Sequence, residues 1–449
     1  MPHPSSIKID LASAFAAAGM RAIAWAAVST IVLAGGLFAA DYAVLTLIRS
    51  TLGLLNYTTL GLAPAMIRWL AGAFASDDRK LQCAVYSNGQ IVAAVGALLG
   101  LAVVIAYALL FRHIHRVQGS IADIAPTAAL LIGIALLLRL LSDVPGAWLQ
   151  SSRHIALDNT LLIMGELLWI IFAAILIRQS LPPLLGAAIG LGMSSAILAF
   201  SRFAFACVYQ APPIADRASI SRPLCMQLLG FGILVSISQL ADFLYAPTDF
   251  ILINRFLTSQ ALSDYAIAVQ IDAGLLLISG AIAAVLLPKA SAALARGARD
   301  TVRRYYLYGT FASLALLAAA SAVILLTAPG LFTLWLHNDM PGTRAILPLL
   351  LIHTIVGGCS GVGRSILLAA GKVKAFASAA IIAGIANVAI SYLLVRYTDL
   401  GLTGIVLGTV IAVVARCALW MPWYIMRTLR ADGPPPRVPP ASFAIPESL

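Results

Sequence analysis

Stretches of some twenty consecutive apolar residues recur along the whole chain, and a chain built that way belongs in a membrane. Each stretch is long enough to cross ~30 Å of hydrocarbon as a helix. Of the 449 residues, 61% are hydrophobic and 10% charged, with a mean hydropathy of +0.96, whereas soluble domains carry about 25% charged residues. A transmembrane β-barrel would read as ~10-residue segments of alternating polarity, and the sequence has none. The expected class is an all-α polytopic membrane protein.

Twelve spans are expected, at approximately 15–40, 42–70, 83–111, 126–149, 157–178, 182–209, 228–254, 264–288, 304–328, 343–369, 374–395 and 401–426. Breaker-rich segments such as "ASDDRK", "APPIADR", "ARGARD" and "AAGKVK" separate them. The first apolar run is too long for a signal-peptide core and lacks a small-residue cleavage site, so it is read as retained. The expected organisation is a first lobe (1–210, spans 1–6), an inter-lobe linker (211–227), a second lobe (228–430, spans 7–12) and a disordered proline-rich tail (431–449).

Counting Lys and Arg sets the expected orientation. If both termini share one side, that side holds 17 of these residues, the opposite side six, and six more fall within spans. The bias predicts both termini on the cytoplasmic side of the membrane. It also accounts for the net charge of +11. The basic residues sit at helix ends with no aromatic-interleaved soluble patch, so no nucleic-acid partner is expected.

The halves echo each other. Asp41-Tyr42-Ala43-Val44 matches Asp264-Tyr265-Ala266-Ile267, and Pro64 and Pro288 follow at nearly equal distances. "LQSSRH" (149–154) lines up with "LAAGKV" (368–373), and Gly186/Gly190 followed by Arg202 lines up with Gly404/Gly408 followed by Arg416. An even number of spans separates the copies, so two pseudo-symmetric six-helix lobes in the same orientation are expected around a central cleft. Each Asp of the echo is expected to cap the periplasmic start of its helix, and each Tyr to lie in the interfacial belt. The glycine pairs, including Gly96/Gly100, read as close-packing motifs. Trp148, Trp335, Trp420 and Trp423 read as belt anchors.

Neither the five cysteines, which lack ligand-like spacing, nor the six histidines suggest a metal site or cofactor. No GxxxxGK[ST] motif is present to hydrolyse ATP.

The segments "DYAVLTLIRSTLGLLNYTTLGLAPAMIRWLAG" (41–72) and "INRFLTSQALSDYAIAVQIDAGLLLISGAIAAVLLPKASAALARG" (253–297) resemble the multidrug/oligosaccharidyl-lipid/polysaccharide exporter superfamily. Within it the chain is similar to the O-antigen and exopolysaccharide flippases, and by hydropathy and repeat the likeness spans nearly the whole chain. The resemblance implies a twelve-helix, two-lobe transporter. Such a protein would carry undecaprenyl-pyrophosphate-linked oligosaccharides from the cytoplasmic to the periplasmic leaflet by alternating access, alongside a polysaccharide polymerase and chain-length machinery.

Ionisable residues within spans cost about 2.5–3.5 kcal/mol each on insertion scales, so they face a cavity or pair up. Thr46, Arg49, Gly53 and Asn56 draw a polar stripe on span 2. Arg49 and Asp272 each lie eight residues beyond their echoed Asp, at the same nominal depth of opposite lobes. Arg49, with Asn56 beside it, offers a planar cation to pyrophosphate, with Asp272 as its counter-ion or as a proton or sodium site. A plain structural pair is the alternative. Arg139 and Asp143 stand four apart on span 4, where they either neutralise each other or line the cleft. Asp242 and Asp249 share a face of span 7 around Pro247, which suits cation coupling or, for Asp249, a hydrated interface. Glu166 either carries a proton or pairs with a residue such as Arg202. Arg364 either lines the inner vestibule or snorkels.

A lipid-linked oligosaccharide flippase is the leading expectation. A cation-coupled multidrug exporter of the same superfamily is the first rival, although its cavity should be acidic and aromatic. A glycan polymerase or ligase would carry a large periplasmic loop, and the longest non-cytoplasmic connection is only about 15 residues. No enzymatic activity is expected.

Overall fold

A computed structural model describes residues 7–35, 39–52, 61–115, 120–212, 219–240, 245–336 and 340–430. Every regular element among them is helical. In chain order these are α1 (Ile7–Gly35), α2 (Ala39–Leu52), α3 (Leu62–Ala75), α4 (Arg79–Ile114), α5 (Ile121–Ser151), α6 (Ile155–Arg178), α7 (Pro183–Val208), α8 (Arg222–Leu240), α9 (Ala246–Phe256), α10 (Ser259–Ala295), α11 (Arg299–Leu336), α12 (Pro341–Ala369), α13 (Val373–Tyr397), α14 (Gly401–Val413), a π-helical turn (Val414–Trp420) and α15 (Met421–Arg430).

Ten of the expected spans are helices long and apolar enough to cross a membrane among the described residues. In the other two, spans 2 and 7, a helix starts anew inside the expected span, α3 after left-handed Gly61 and α9 after Tyr245, and the described parts are the shorter helices α2, α3, α8 and α9. Divided spans are tolerated in a bilayer where neighbouring protein satisfies the interrupted backbone. α10 and α11, of 37 and 38 residues, run to about 55 Å at 1.5 Å per residue, well beyond the hydrocarbon core.

The chain divides into two compact units, with the boundary between Ser236 and Ile237. That point lies inside α8, which itself begins at Arg222 within the segment expected as linker. Asn88, fully buried on α4, explains why the start of α8 belongs to the first unit. Its amide donates to Ser219 O at 2.8 Å and accepts from Ser221 N at 2.9 Å and Cys225 Sγ at 3.0 Å. The expected tail lies outside the described residues.

Each unit repeats the same local geometry. Six helices end in the same backbone motif, in which the residue after the cap takes positive φ and the next N–H reaches back five residues, and four of these ends stand at equivalent places of the two units. In the first unit Asp77 (φ 54°) and Arg153 (φ 71°) hold that position, with Asp78 N to Ala73 O at 3.0 Å and His154 N to Leu149 O at 2.8 Å. In the second unit Gly297 (φ 73°) and Gly371 (φ 70°) do so, with Ala298 N to Ala293 O at 2.9 Å and Lys372 N to Leu367 O at 2.8 Å. The turn aligns Arg153 with Gly371, one residue away from the register expected from "LQSSRH" and "LAAGKV".

Close packing repeats as well. A Cβ on Gly190 would lie 2.8 Å from Ala173 N, and one on Gly408 would lie 2.8 Å from Ser391 N. The α6–α7 and α13–α14 backbones therefore touch where only hydrogen fits. Gly96 departs from the expectation: a Cβ there meets nothing within 4 Å.

The echoed "DYA" segments do not cap their own helices. Asp41 accepts from Leu184 N at 3.2 Å, satisfying a free N–H at the start of α7. Asp264 lies inside α10, whose cap is Thr258, and accepts from Thr343 Oγ1 at 3.1 Å near the start of α12. Tyr265 is 1% exposed and buried in the second unit, not in an interfacial belt. Trp148 is no belt anchor either. It is fully buried, packs edge-on against Phe74 and Tyr86, and donates to Tyr209 O at 2.9 Å, because it fills the junction of α3, α4, α5 and α7. The side chains of Tyr42 and Trp335 lie outside the described residues.

Candidate functional site

The first unit encloses a cavity of about 490 Å³ between α1, α2, α5, α6 and α7. Its charged lining comes from Arg21, Arg139, Asp143, Glu166 and Arg202, and an aromatic wall from Trp25 and Trp169. The two indole rings lie 6.0 Å apart, tilted by 34°. Trp169 Nε1 donates to Ala187 O at 3.0 Å, which fixes its ring.

The charges pair across helices, not along them. Arg139 Nη1 donates to Glu166 Oε1 at 2.8 Å, and its Nε donates to Ser195 Oγ at 3.1 Å. Its Nη2 is buried and has no hydrogen-bond partner among the described residues. Arg202 holds Asp158 with both ends of its fork, at 2.8 and 3.0 Å. Its Nη1 donates to Ser142 Oγ at 3.1 Å and lies 3.5 Å from Asp143 Oδ1. Gln150 supports Asp158 from behind at 2.8 Å. Gly146 makes room for the guanidinium, since a Cβ there would stand 2.9 Å from Arg202 Cζ.

Two expected pairings are thereby corrected. Arg139 and Asp143 do not neutralise each other, and Glu166 does not pair with Arg202. Residues four apart on one helix point along the same stripe, and the cavity lets the longer arginines reach acids on neighbouring helices instead. Asp143 stays 39% exposed. Arg21 makes no ion pair or hydrogen bond among the described residues, though it is close enough to Asp143 for their charges to interact.

The second unit holds a different arrangement. Asp249 on α9 is fully buried. It accepts from Thr409 Oγ1 at 2.6 Å, Tyr265 OH at 2.8 Å and Asn387 Nδ2 at 3.4 Å. Ser391 Oγ and Ile405 O, 3.1 Å apart, continue the polar cluster. Among the described residues no Lys or Arg forms an ion pair with Asp249. Its described partners are three neutral donors, a setting in which a carboxylate can exchange between a bare state and one neutralised by a proton or a hard cation. The alternative of a hydrated interfacial Asp249 is excluded by its burial.

Asp272, buried on α10, accepts from Thr354 Oγ1 at 2.6 Å and lies 3.4 Å from His353 Nδ1. Its described partners therefore belong to its own unit. The side chain of Arg49, and all of Asn56 and Asp242, lie outside the described residues. Arg364 sits 5.8 Å over the Phe376 ring.

Arg21, Trp25, Asp158 and Trp169 complete the first cluster, and Tyr265, His353, Asn387 and Thr409 the second, without standing out individually in the sequence. Spacing is the signal that could have found some of them. Asp158 and Glu166 are eight apart on α6, Ser195 and Arg202 seven apart on α7, and Asn387 and Ser391 four apart on α13.

Two helical units with charged interiors, ten of whose helices are long and apolar enough to cross a membrane, define a polytopic membrane protein. Residues 98–328, just over half of the chain, match the family model described as polysaccharide biosynthesis protein, and the chain belongs to that family. The fold is that of several solved structures. One is an outward-facing multidrug resistance MATE family transporter of the MOP superfamily, with TM-score 0.84, 17% identity, and 95% of this chain and 96% of the other covered. A MATE structure in the bent conformation gives TM-score 0.81 at 17% identity, with 95% and 97% covered. A MOP superfamily transporter from Pyrococcus furiosus, described as having a binding pocket of reversed polarity that suggests a different function, gives 0.83 at 16% identity, with 95% and 96% covered. No curated protein matches the chain in sequence.

Proposed function

We propose that this protein is a flippase that carries undecaprenyl-pyrophosphate-linked oligosaccharide units from the cytoplasmic to the periplasmic leaflet of the bacterial inner membrane by alternating access. The cavity of the first unit carries this reading. Trp25 and Trp169 offer apolar faces to sugar rings, while the spare Nη2 donor of Arg139, the Arg21 guanidinium and the Asp143 carboxylate offer partners to hydroxyls and phosphate oxygens. An organic cation calls for an acidic aromatic pocket without facing guanidinium groups. Family membership in polysaccharide biosynthesis supports the same choice.

The second unit supplies the coupling site in this reading. Asp249, with Asn387, Thr409 and Tyr265 around it, takes up the driving cation as cargo, and its neutralisation biases the conformational cycle.

The test is reconstitution. Proteoliposomes should translocate an undecaprenyl-pyrophosphate-linked oligosaccharide, and Arg139→Gln or Trp25→Ala should slow this by about tenfold or more, the loss expected from one transition-stabilising contact of about 1.4 kcal/mol. Efflux of ethidium without movement of the lipid-linked glycan would reverse the assignment in favour of the multidrug exporter, the reading that the fold of the solved MATE structures favours.

A further inference from the structure

We propose that His353 and Asp272 form a proton-binding site in the second unit that empties when a monovalent cation occupies Asp249. The inference rests on the reading of Asp249 as the cation site and adds a second site that this reading does not use.

The pair is held by α10 and α12. Thr354 Oγ1 donates to Asp272 Oδ1 at 2.6 Å, but the same hydroxyl lies 3.1 Å from Leu350 O. A hydroxyl has one hydrogen to give. Directed at Asp272 it suits the carboxylate, and directed at Leu350 O it leaves an acceptor free for a protonated acid. The network therefore fits both states of Asp272 without moving heavy atoms. His353 Nδ1 is 3.4 Å from the same carboxylate oxygen, buried, and without a hydrogen bond. A proton shared between imidazole and carboxylate supplies the missing bond. The side chains remain 17% and 11% exposed, so the proton is not sealed in.

The link to Asp249 runs through α10. Tyr265 donates to Asp249 and stands seven residues, two helical turns, before Asp272 on the same face. Tyr265 feels the charge of both acids, and His353 is near enough to Asp249 for their charges to interact. Among the described residues His353 has no other ion pair than the one with Asp272. α10 turns Asp272 toward it, while Asp264 is engaged with Thr343. α9 brings Asp249. The π-helical turn after α14 brings Arg416, which sits 5.2 Å over Tyr245, and Cys417. α11 brings Tyr306, whose ionisable neighbour is Cys359 on α12. α13 contributes the neutral Asn387, and α15 carries Arg427 over Trp423 at 5.5 Å.

Two carboxylates and one imidazole thus share a low-dielectric interior. With Asp249 bare, its negative charge helps to hold the imidazolium. A cation on Asp249 cancels that field and repels the proton, and linkage requires the proton to weaken the cation in equal measure. Proton and cation are therefore loaded in alternation, which makes transport a cation-for-proton exchange at this unit.

The experiment uses the purified full-length protein in weakly buffered detergent solution. Sodium chloride is added against a choline chloride control, with proton release followed by a pH dye and sodium binding by radioactive sodium. Wild type should bind sodium and release protons, and its sodium affinity should be at least about fivefold weaker at pH 5.5 than at pH 8. His353→Gln and Asp272→Asn should each still bind sodium but release few protons, so that if one of them folds poorly the other still reads the site. Release that persists undiminished in both variants would come from Asp249 itself and would overturn the inference. So would sodium binding without release in wild type. Absence of sodium binding, or binding unaffected by Asp249→Asn, would instead bring down the reading of Asp249 and this inference with it.

Discussion

Arg202 and Asp158 meet fork to fork inside the first unit, Nε to Oδ1 at 2.8 Å and Nη2 to Oδ2 at 3.0 Å, with side chains 6% and 0% exposed. Neither residue touches solvent to any useful extent, so each depends on the other for its charge to be tolerated. Arg202→Ala should therefore cost about 3–5 kcal/mol by stranding Asp158, whereas the double variant Arg202→Leu, Asp158→Leu should recover most of that loss. Thermal unfolding of the purified protein in detergent reads both. A double variant as unstable as the single one would mean that the pair contributes through something other than charge compensation.

The helix contacts at Gly190 and Gly408 should tolerate added volume poorly. Gly190→Ala and Gly408→Ala each push a methyl group against backbone nitrogen, which cannot rotate away, and should cost about 1–3 kcal/mol. Gly96→Ala has open space and removes a flexible residue from a helix, so it should stabilise by about 0.5–1 kcal/mol. Midpoints of thermal unfolding for the three variants check the order.

Backbone handedness gives a prediction of opposite signs in two turns. Ser180 adopts φ 67° in an exposed turn, and Gly371 adopts φ 70° in the turn equivalent to that of Arg153. Ser180→Gly should relieve about 1–2 kcal/mol of left-handed strain and lose about 0.5–1 kcal/mol to chain entropy, a small net gain. Gly371→Ala should destabilise by about 1 kcal/mol. The same unfolding assay distinguishes them.

His154 lies in the turn between α5 and α6, stacked on Tyr209 with ring centroids 3.7 Å apart. Burial lowers its pKa from the ordinary 6.5. The folded protein then binds this proton less readily than the unfolded chain does. Its contribution to stability should be fully present above pH ~6.5 and lost as the pH falls through the window below that value. In His154→Phe this part of the pH dependence should vanish, which unfolding midpoints at pH 5 and pH 7.5 would reveal.

Most of the fold was legible because membrane insertion writes itself into composition. A span must be apolar for its whole length, and the twelve expected segments follow from that requirement alone. The break in span 2 was not legible, because hydropathy is blind to whether a backbone remains helical, whereas Pro247, in the first turn of α9, was the signal of the one in span 7. The glycine pairs divided along the same line. Gly190 and Gly408 sit where two backbones meet, but Gly96 carries the same spacing with nothing opposite it.

The site shows the limit more sharply. The cost of burying charge marks Arg139, Asp143, Glu166, Asp249 and Asp272 as residues that need an explanation, and each does line a cavity or a polar cluster. Their partners could not be read in the same way. Proximity along one helix suggested Arg139 with Asp143, yet the long guanidinium side chains cross to Glu166 and Asp158 on α6, where the geometry allows paired, desolvated bonds. Tyr265 looked interfacial because it follows an Asp at the expected start of a span, and it became the donor to Asp249 because α10 starts earlier. The sequence by itself determined that the chain is a doubled set of membrane helices carrying charges that cannot be left bare. Only the tertiary structure decided which charge answers which, because a charge buried in a membrane protein is matched by whatever the neighbouring helices place within 3 Å, and no spacing along one chain encodes that.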